Sequence, residues 1–166
     1  MTSLTILGID PGIKNTGYGV VTVTDNNQPQ LFTYGHIHTN AKNSLAERLH
    51  QIYSGLEKII KEVSPDIMVV ENIFYSENVK TAIIMGHARG AILTAGMNNG
   101  CEIAEYSPRE VKQSVVGNGG AAKEQVHYMV KQLLSVREDI QPDDASDALA
   151  VALCHWHKLK YNRLVE

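Results

Sequence analysis

Carboxylates stand where predicted strands end and where a predicted helix begins. They are Asp10, Glu71, Asp143, Asp144 and Asp147. Clustered carboxylates repel one another at neutral pH, so a cluster of them without a cation would protonate or destabilise the fold. Ligands that are all oxygens select hard ions, so the sequence predicts a Mg²⁺ site at which Mn²⁺ can substitute. A bound ion of this kind can activate water for hydrolysis.

Several of these acids also have a purely structural interpretation. Asp10 precedes Pro11-Gly12, and aspartate is common in such turns. Asp144 and Asp147 fit the N-cap and N3 positions of a helix, where acids also suit the helix dipole. The helix that follows is apolar on all sides, which predicts burial, and residues three apart share a face. We therefore expect Asp144 and Asp147 to face the sheet rather than bulk water.

The elements that position these acids follow from the hydrophobic pattern. Five strands are predicted, at Leu4–Ile9, Gly17–Thr24, Leu31–Thr39, Ile67–Val70 and Cys101–Tyr106. The first three have short connections and predict an antiparallel meander. The last two alternate with helices and should lie parallel. Glu71 follows one of these parallel strands, at the end where open α/β sheets bind ligands.

Five helices are predicted from apolar residues at helical spacing. They span Leu45–Val63, Asn78–Met97, Pro108–Val116, Ala121–Ser135 and Asp144–Lys158. The order β-β-β-α-β-α-β-α-α-α predicts an α/β fold with a three-stranded antiparallel meander, parallel strands and helices on both faces of the sheet. No repeat or linker interrupts this order, so we expect one domain over residues 1–166.

A glycine-rich loop, Gly117–Gly120, leads into the fourth predicted helix and to Lys123. It is not a Walker A loop, because the spacing is wrong and a helix rather than a strand precedes it. Backbone amides at the start of the helix, together with Lys123, would suit a nucleic-acid phosphate. A plain flexible connection is the alternative.

The overall charge is −3, whereas nucleic-acid-binding domains are usually basic. A carboxylate cluster counts as negative until its metal arrives, so this balance does not exclude a nucleic acid. No apolar run is long enough to cross a bilayer and no secretory signal is visible, so we expect a cytoplasmic protein. Cys101 and Cys154 should be reduced and buried. Cys154–His157 is too compressed for zinc, because neighbours two apart on a helix do not face each other.

The chain resembles the RuvC family of Holliday junction resolvases over nearly its whole length. The segments that carry the resemblance are Gly8–Gly12, Thr16–Gly19, Glu71–Phe74, Val111–Gln113, Val116–Gly117 and Asp144–Ala150. It implies a ribonuclease H-like fold and an endonuclease that resolves four-way DNA junctions by paired symmetric nicks, in recombination and repair. It also implies a homodimer and association with a RuvA–RuvB branch-migration complex.

The resemblance also implies roles for particular residues. The family's four acidic positions match Asp10, Glu71, Asp144 and Asp147. They would hold two metal ions per site, with Asp10 between them, one ion to activate water and one to stabilise the leaving 3′-oxygen. Asp143 is adjacent to Asp144, so the choice between these two is open. Lys112 and Lys123 would hold phosphates. Phe74 would stack on a base beside the scissile phosphate, or else cap the core.

The second helix carries a stripe of small residues four apart: Ala82, Gly86, Gly90 and Thr94. Periodicity alone slightly favours packing of this stripe on the helix's own sheet. The family resemblance implies instead that this helix forms the dimer interface.

Three other functions fit parts of the pattern. An actin-like ATP-binding domain has a phosphate loop similar to Asp10–Gly19, but it needs two lobes and does not explain the late pair of acids. A junction-binding module without catalytic activity has no use for four converging carboxylates. Another nuclease of the same fold that acts on RNA ends is the third alternative, and cleavage assays distinguish it.

Overall fold

The computed structural model describes residues 3–72 and 77–165. The described strands are β1 (Leu4–Asp10), β2 (Asn15–Val23), β3 (Pro29–His38), β4 (Ile67–Glu71) and β5 (Glu102–Tyr106). The described helices are α1 (Leu45–Val63), α2 (Val79–Asn98), α3 (Pro108–Val116), α4 (Lys123–Leu133) and α5 (Asp143–Val165). The predicted order of elements is therefore confirmed.

The largest difference in boundaries is at the end of α5, which continues to Val165 rather than stopping at the predicted Lys158. Residues 161–165 are exposed, so no apolar periodicity marks them in the sequence. Arg163 lies in the last turn, where a cation interacts favourably with the helix dipole. None of the helices in the described ranges is both long enough and apolar enough to cross a membrane.

Serine residues define where two of the helices begin. The Ser107 side chain accepts a hydrogen bond from the Glu110 amide, and the Glu110 carboxylate accepts one from the Ser107 amide. This capping box, with Pro108 in the first turn, fixes the start of α3. Ser44 and Glu47 form the same arrangement at the start of α1. Each serine satisfies an amide that the helix itself leaves unpaired.

The strands form one sheet in the order β3-β2-β1-β4-β5. Strand β1 pairs antiparallel with β2, and β2 pairs antiparallel with β3. Strand β4 lies parallel to both β1 and β5. The predicted meander and parallel strands are thus confirmed. Because β1 and β4 are neighbours and run the same way, their C-terminal ends meet at one edge of the sheet.

Helices cover both faces of the sheet, as predicted. One core contains residues of α3, α4 and α5 packed against alternate residues of the strands, among them Ile6 and Val69. The other contains residues of α1 and α2 packed against the intervening residues, such as Leu7 and Val70. Cys101 and Cys154 are free and buried, as expected.

Helix α5 lies directly on the backbone of β1 and β2. A Cβ at Gly8 would be 2.1 Å from the carbonyl oxygen of Ala148, and one at Gly17 would be 2.0 Å from that of Asp144. Gly19, which pairs with Gly8 across the ladder, faces Leu149 of the same helix. Any side chain at Gly8 or Gly17 would overlap helix backbone. These glycines therefore set the distance between α5 and the sheet.

We expect Gly8→Ala to lower the free energy of unfolding by about 1–3 kcal/mol, the usual cost of overpacking a dense core. The added methyl group meets the backbone of α5 and not the end of a flexible side chain. Urea unfolding measures the change. Gly120→Ala is the control, because the nearest atom to its Cβ is 3.5 Å away. Equal stability of the two variants would contradict the close approach of α5.

Candidate metal centre

Asp10 and Glu71 are the last residues of two adjacent parallel strands. The register pairs Ile9 with Val70, so the two acids occupy the next position on each strand. Side chains alternate between faces along a strand, and Ile6 and Val69 belong to the core beneath α5. Asp10 and Glu71 therefore point to that same face, at the edge of the sheet.

Helix α5 brings two more carboxylates to this edge. Asp10 pairs with Gly17 across the ladder, and Gly17 lies against the backbone of Asp144. As a result, carboxylate oxygens of Asp10, Asp144 and Asp147 all lie within 4.8 Å of one another. Asp143 instead borders a neighbouring groove between α4 and the start of α5. The structure thus brings Asp144, and not Asp143, into the cluster.

The structural interpretation of these acids is confirmed only in part. Asp10 is a strand residue within the β1–β2 ladder rather than part of a turn. Helix α5 begins at Asp143, and the Ala145 amide donates to the Pro142 carbonyl oxygen. An N-cap residue precedes the first helical residue, so the interpretation of Asp144 as the N-cap is wrong. Asp144 does lie in the first turn of α5, where an acid interacts favourably with the helix dipole.

Glu71 and two lysines border the same site. Glu71 and Asp147 line an open cleft of about 230 Å³ together with Lys112 of α3 and Lys123 of α4. Glu71 lies outside the tight group of three, but its charge acts on Asp10 across the site. All four acids predicted as ligands therefore converge on one edge of the sheet, beside both lysines predicted to hold phosphates.

Burial and mutual repulsion disfavour the charged form of these acids. Burial, followed by the charges of Glu71, Asp147 and Asp144, raises the pKa of Asp10 to about 8. Burial and the charge of Asp147 raise the pKa of Glu71 to about 7, although Lys112 and Lys123 act in the opposite direction. Burial and Asp147 also raise the pKa of Asp144. A divalent cation would reverse this balance.

Asp147 has two partners on α4. Lys123 Nζ lies 3.3 Å from Asp147 Oδ2, and His127 Nε2 lies 2.9 Å from Asp147 Oδ1. Residues four apart on a helix share a face, which is why Lys123 and His127 reach the same carboxylate. His127 is absent from the sequence-based site. Its spacing from Lys123 is the signal that could have identified it.

Several amides in and after the glycine-rich loop have partners within the chain. Gly117 ends α3 with a φ of 89°, a conformation that favours glycine. The amide of Gly119 donates to Gln113 Oε1, and the amide of Ala122 donates to Gln125 Oε1. A phosphate would have to displace these side chains to reach those two amides. Lys123, the first residue of α4, follows the loop and borders the cleft with its side chain.

Of the other two predicted DNA contacts, Lys112 lies within the described residues and Phe74 does not. Lys112 is on α3, and its charge lowers the pKa of Glu71, which places it near the carboxylates. Phe74 belongs to the segment 73–76, outside the described residues. Its stacking on a base therefore stays a prediction from the sequence.

A sheet of this topology, with carboxylates at the ends of β1 and β4 and in the first turns of α5, defines the ribonuclease H-like class of nucleases. The family model described as "Crossover junction endodeoxyribonuclease RuvC" matches residues 6–155. The chain belongs to the RuvC family.

Related proteins agree with this assignment. The chain is 50% identical over 152 residues to the RuvC of Caldanaerobacter subterraneus subsp. tengcongensis, covering 92% of each chain. It is 49% identical over 150 residues to that of Desulforamulus reducens, covering 90% of this chain and 91% of the relative. Thermus thermophilus RuvC, solved in complex with a Holliday junction substrate, superposes with a TM-score of 0.90 at 33% identity and 96% coverage of both chains. The predicted family and the ribonuclease H-like fold are confirmed.

The raised pKa of Asp10 makes the stability of the metal-free protein depend on pH. The folded-state pKa of about 8 lies above the ordinary value of 3.8. Between these values the folded state keeps a proton that the unfolded state releases. The free energy of unfolding should therefore fall as the pH rises from about 4 to about 8.

We expect Asp10→Asn, which cannot ionise, to melt at a higher temperature than the wild type at pH 8 in EDTA. This advantage should shrink as the pH is lowered towards 4. Thermal melting across this range measures it. Glu62→Gln, a substitution at an exposed position of α1, should follow the wild type. A variant Asp10→Asn no more stable than the wild type at pH 8 would show that the cluster is not repulsive.

Proposed function

We propose that this chain resolves four-way (Holliday) DNA junctions by paired symmetric nicks, through two-metal phosphodiester hydrolysis, in recombination and repair. As a member of its family it is a crossover junction endodeoxyribonuclease. The observation that carries the proposal is the convergence of four carboxylates on a cleft that two lysines also border. Carboxylates bind metal ions and lysines bind phosphates, and a site for phosphodiester hydrolysis needs both kinds of contact.

The cofactor we propose is Mg²⁺, two ions per site, with Mn²⁺ as a substitute. The donors at this site are carboxylate oxygens, which hard divalent ions prefer. The raised pKa values of Asp10 and Glu71 support a cation here, because they reflect carboxylates that are short of compensating charge. When bound, such ions supply an activated water and stabilise the leaving 3′-oxygen.

Each acid has a place in this ligand set. The family resemblance implies that Asp10 would be shared between the two ions, and its carboxylate lies within 4.8 Å of those of Asp144 and Asp147. Glu71 would contribute from the adjacent strand end. Asp144 is preferred to Asp143 as a ligand, because Asp143 borders a different groove. The close contact between Gly17 and the backbone of Asp144 keeps Asp144 near Asp10 in the metal-free protein.

Lys112, Lys123 and Phe74 are the proposed DNA contacts. Both lysines border the cleft, so a phosphate between them would lie beside the carboxylates. Lys123 neutralises part of the charge of Asp147 in the metal-free protein. Once Asp147 is a metal ligand, Lys123 can turn to a phosphate. Phe74 follows Glu71 by three positions, so a base stacked on its ring would lie near the scissile phosphate.

The partner copy in the proposed homodimer would bind the outer face of α2. The stripe of Ala82, Gly86, Gly90 and Thr94 is exposed, so the prediction that it packs on its own sheet is wrong. A Cβ at Gly86 or Gly90 would meet nothing within 4 Å. Val79 and Met97 on the same helix are 71% and 65% exposed. Exposed apolar side chains beside small residues suit close packing against a second copy.

Three further parts of the proposal rest on the sequence: the first two on its length and hydrophobic pattern, and the third on the family resemblance. Residues 1–166 form one nuclease domain, the protein acts in the cytoplasm, and it associates with a RuvA–RuvB branch-migration complex. The homodimer is the part that the described residues support independently, through the outer face of α2.

Removing a metal ligand should separate cleavage from binding. We expect Asp10→Asn and Glu71→Gln to abolish cleavage of a synthetic four-way junction in Mg²⁺, whereas junction binding survives, because lysines rather than carboxylates hold the phosphates. Single-turnover cleavage and a gel-shift assay in Ca²⁺ measure the two properties. Glu62→Gln should cut at the wild-type rate. If either ligand variant cuts at near that rate, the site is misassigned.

The same assay on three substrates tests the proposed specificity. We expect symmetric nicks in the junction and little cleavage of a duplex with the same arm sequences. Preferential cleavage of RNA would favour the alternative of another nuclease with this fold.

Neutralising a phosphate contact should change the salt dependence of binding. We expect Lys112→Ala and Lys123→Ala each to weaken junction affinity and to flatten the slope of log affinity against log salt by about one unit. Lys61→Ala is the control, because this lysine is exposed on α1, on the opposite face of the sheet. A slope equal to that of the wild type would show that the substituted lysine does not contact DNA.

A further inference from the structure

His127 of α4 contacts one of the carboxylates in the cluster. Its Nε2 lies 2.9 Å from Asp147 Oδ1, while Lys123 Nζ lies 3.3 Å from the other oxygen. The side chains of His127 and Asp147 are 24% and 23% exposed, whereas that of Lys123 is 53% exposed. The contact from His127 to Asp147 is therefore shorter than that from Lys123, and the His127 side chain is less exposed.

The two contacts differ in what they can do for Asp147. An ionised carboxylate only accepts hydrogen bonds, so His127 Nε2 is the donor whether the ring is neutral or charged. A rigid ring on two side-chain torsions holds its donor in one direction. Lysine carries a compact charge on a flexible four-carbon chain. His127 is thus suited to orient the carboxylate, and Lys123 to neutralise it.

Asp147 can bind the same cation as Asp10 and Asp144 only if its carboxylate is turned towards theirs. A carboxylate has about four lone-pair sites on its two oxygens. His127 occupies one on Oδ1 and Lys123 lies near Oδ2, so sites remain for a cation, and a carboxylate oxygen of Asp147 lies within 4.8 Å of those of Asp10 and Asp144. Repulsion from those two acids favours rotation of Asp147 away from them in the metal-free protein. The hydrogen bond from His127 opposes this rotation.

We infer that His127 is a positioning residue of the metal centre, one that holds Asp147 in the orientation required to bind a divalent cation. This inference rests on the proposed function, which makes Asp147 a ligand. In this role His127 acts through its hydrogen bond with Asp147 and is not itself a metal ligand. Hydrogen-bond partners of metal ligands typically contribute 10–100-fold to metal affinity or activity, so the effect is large enough to measure.

The test is the affinity of the DNA-free protein for Mn²⁺, measured by calorimetry. His127→Ala should weaken Mn²⁺ binding by about tenfold or more. His127→Gln should keep most of the affinity, because its amide N–H can donate from nearly the same place as Nε2. His50→Ala is the control, since His50 is exposed on α1, where it pairs with Ser54 and lies on the opposite face of the sheet from the carboxylates. It should bind Mn²⁺ as the wild type does.

The Mg²⁺ dependence of junction cleavage gives a second measurement. For His127→Ala the Mg²⁺ concentration that gives half the maximal rate should rise by the same factor, while the rate at saturating Mg²⁺ stays within about twofold. A purely structural role would not produce this separation. Melting curves accompany each variant, and His127→Leu, which keeps the bulk without the donor, replaces His127→Ala if the latter does not fold.

Two results would overturn the inference: wild-type Mn²⁺ affinity in the variants that lack the donor, or an equal loss of affinity in His127→Gln. Failure of the proposed metal site gives a different pattern, in which the wild type binds no Mn²⁺ or Asp10→Asn binds it equally well. If Asp10→Asn weakens binding and His127→Ala does not, only the role of His127 is rejected.

Discussion

The contact between the backbone of α5 and the glycines of β1 and β2 is the constraint on which the metal centre depends. Asp144 and Asp147 belong to a helix and Asp10 to a strand, so the separation of their carboxylates depends on how closely the helix lies on the sheet. Side chains between two packed elements keep the backbones apart, as in packed helices, whose axes lie about 8–10 Å apart. At Gly8 and Gly17 nothing intervenes. The carboxylates can therefore approach within 4.8 Å.

This proximity has an electrostatic cost in the absence of metal. Burial raises the pKa of Asp10, Glu71 and Asp144, and the charges of neighbouring acids, Asp147 among them each time, add to the effect. Lys123 offsets the charge of Asp147 by direct contact, and His127 forms a hydrogen bond with the same carboxylate. The repulsion that weakens the metal-free protein is also what a divalent cation relieves. Stability and cation affinity are thus linked through the same carboxylates, and rigid packing of α5 keeps them from moving apart.

Local patterns were sufficient to predict the order of elements, the meander and the strand ends that carry Asp10 and Glu71, because strand alternation and helical spacing are properties of neighbouring residues. The choice between Asp143 and Asp144 depends on how α5 is rotated over Gly17, which no local pattern contains. The outward direction of the small-residue stripe on α2 likewise depends on how that helix is rotated over the sheet. His127 was missed because its significance lies in a contact with Asp147, 20 residues away.

The carboxylate cluster and the proposed dimer interface lie on opposite faces of the sheet. The carboxylates lie on the face covered by α3, α4 and α5, whereas α2 packs on the opposite face and directs its small residues outward. A second copy bound at α2 would leave the cleft uncovered. The chain from Glu71 to Val79 connects a proposed metal ligand to this helix and includes Phe74. In the two-fold dimer proposed above, each copy would contribute one such cleft. A four-way junction centred on the dimer axis would then present one strand to each site, which relates paired nicks to the symmetry of the protein.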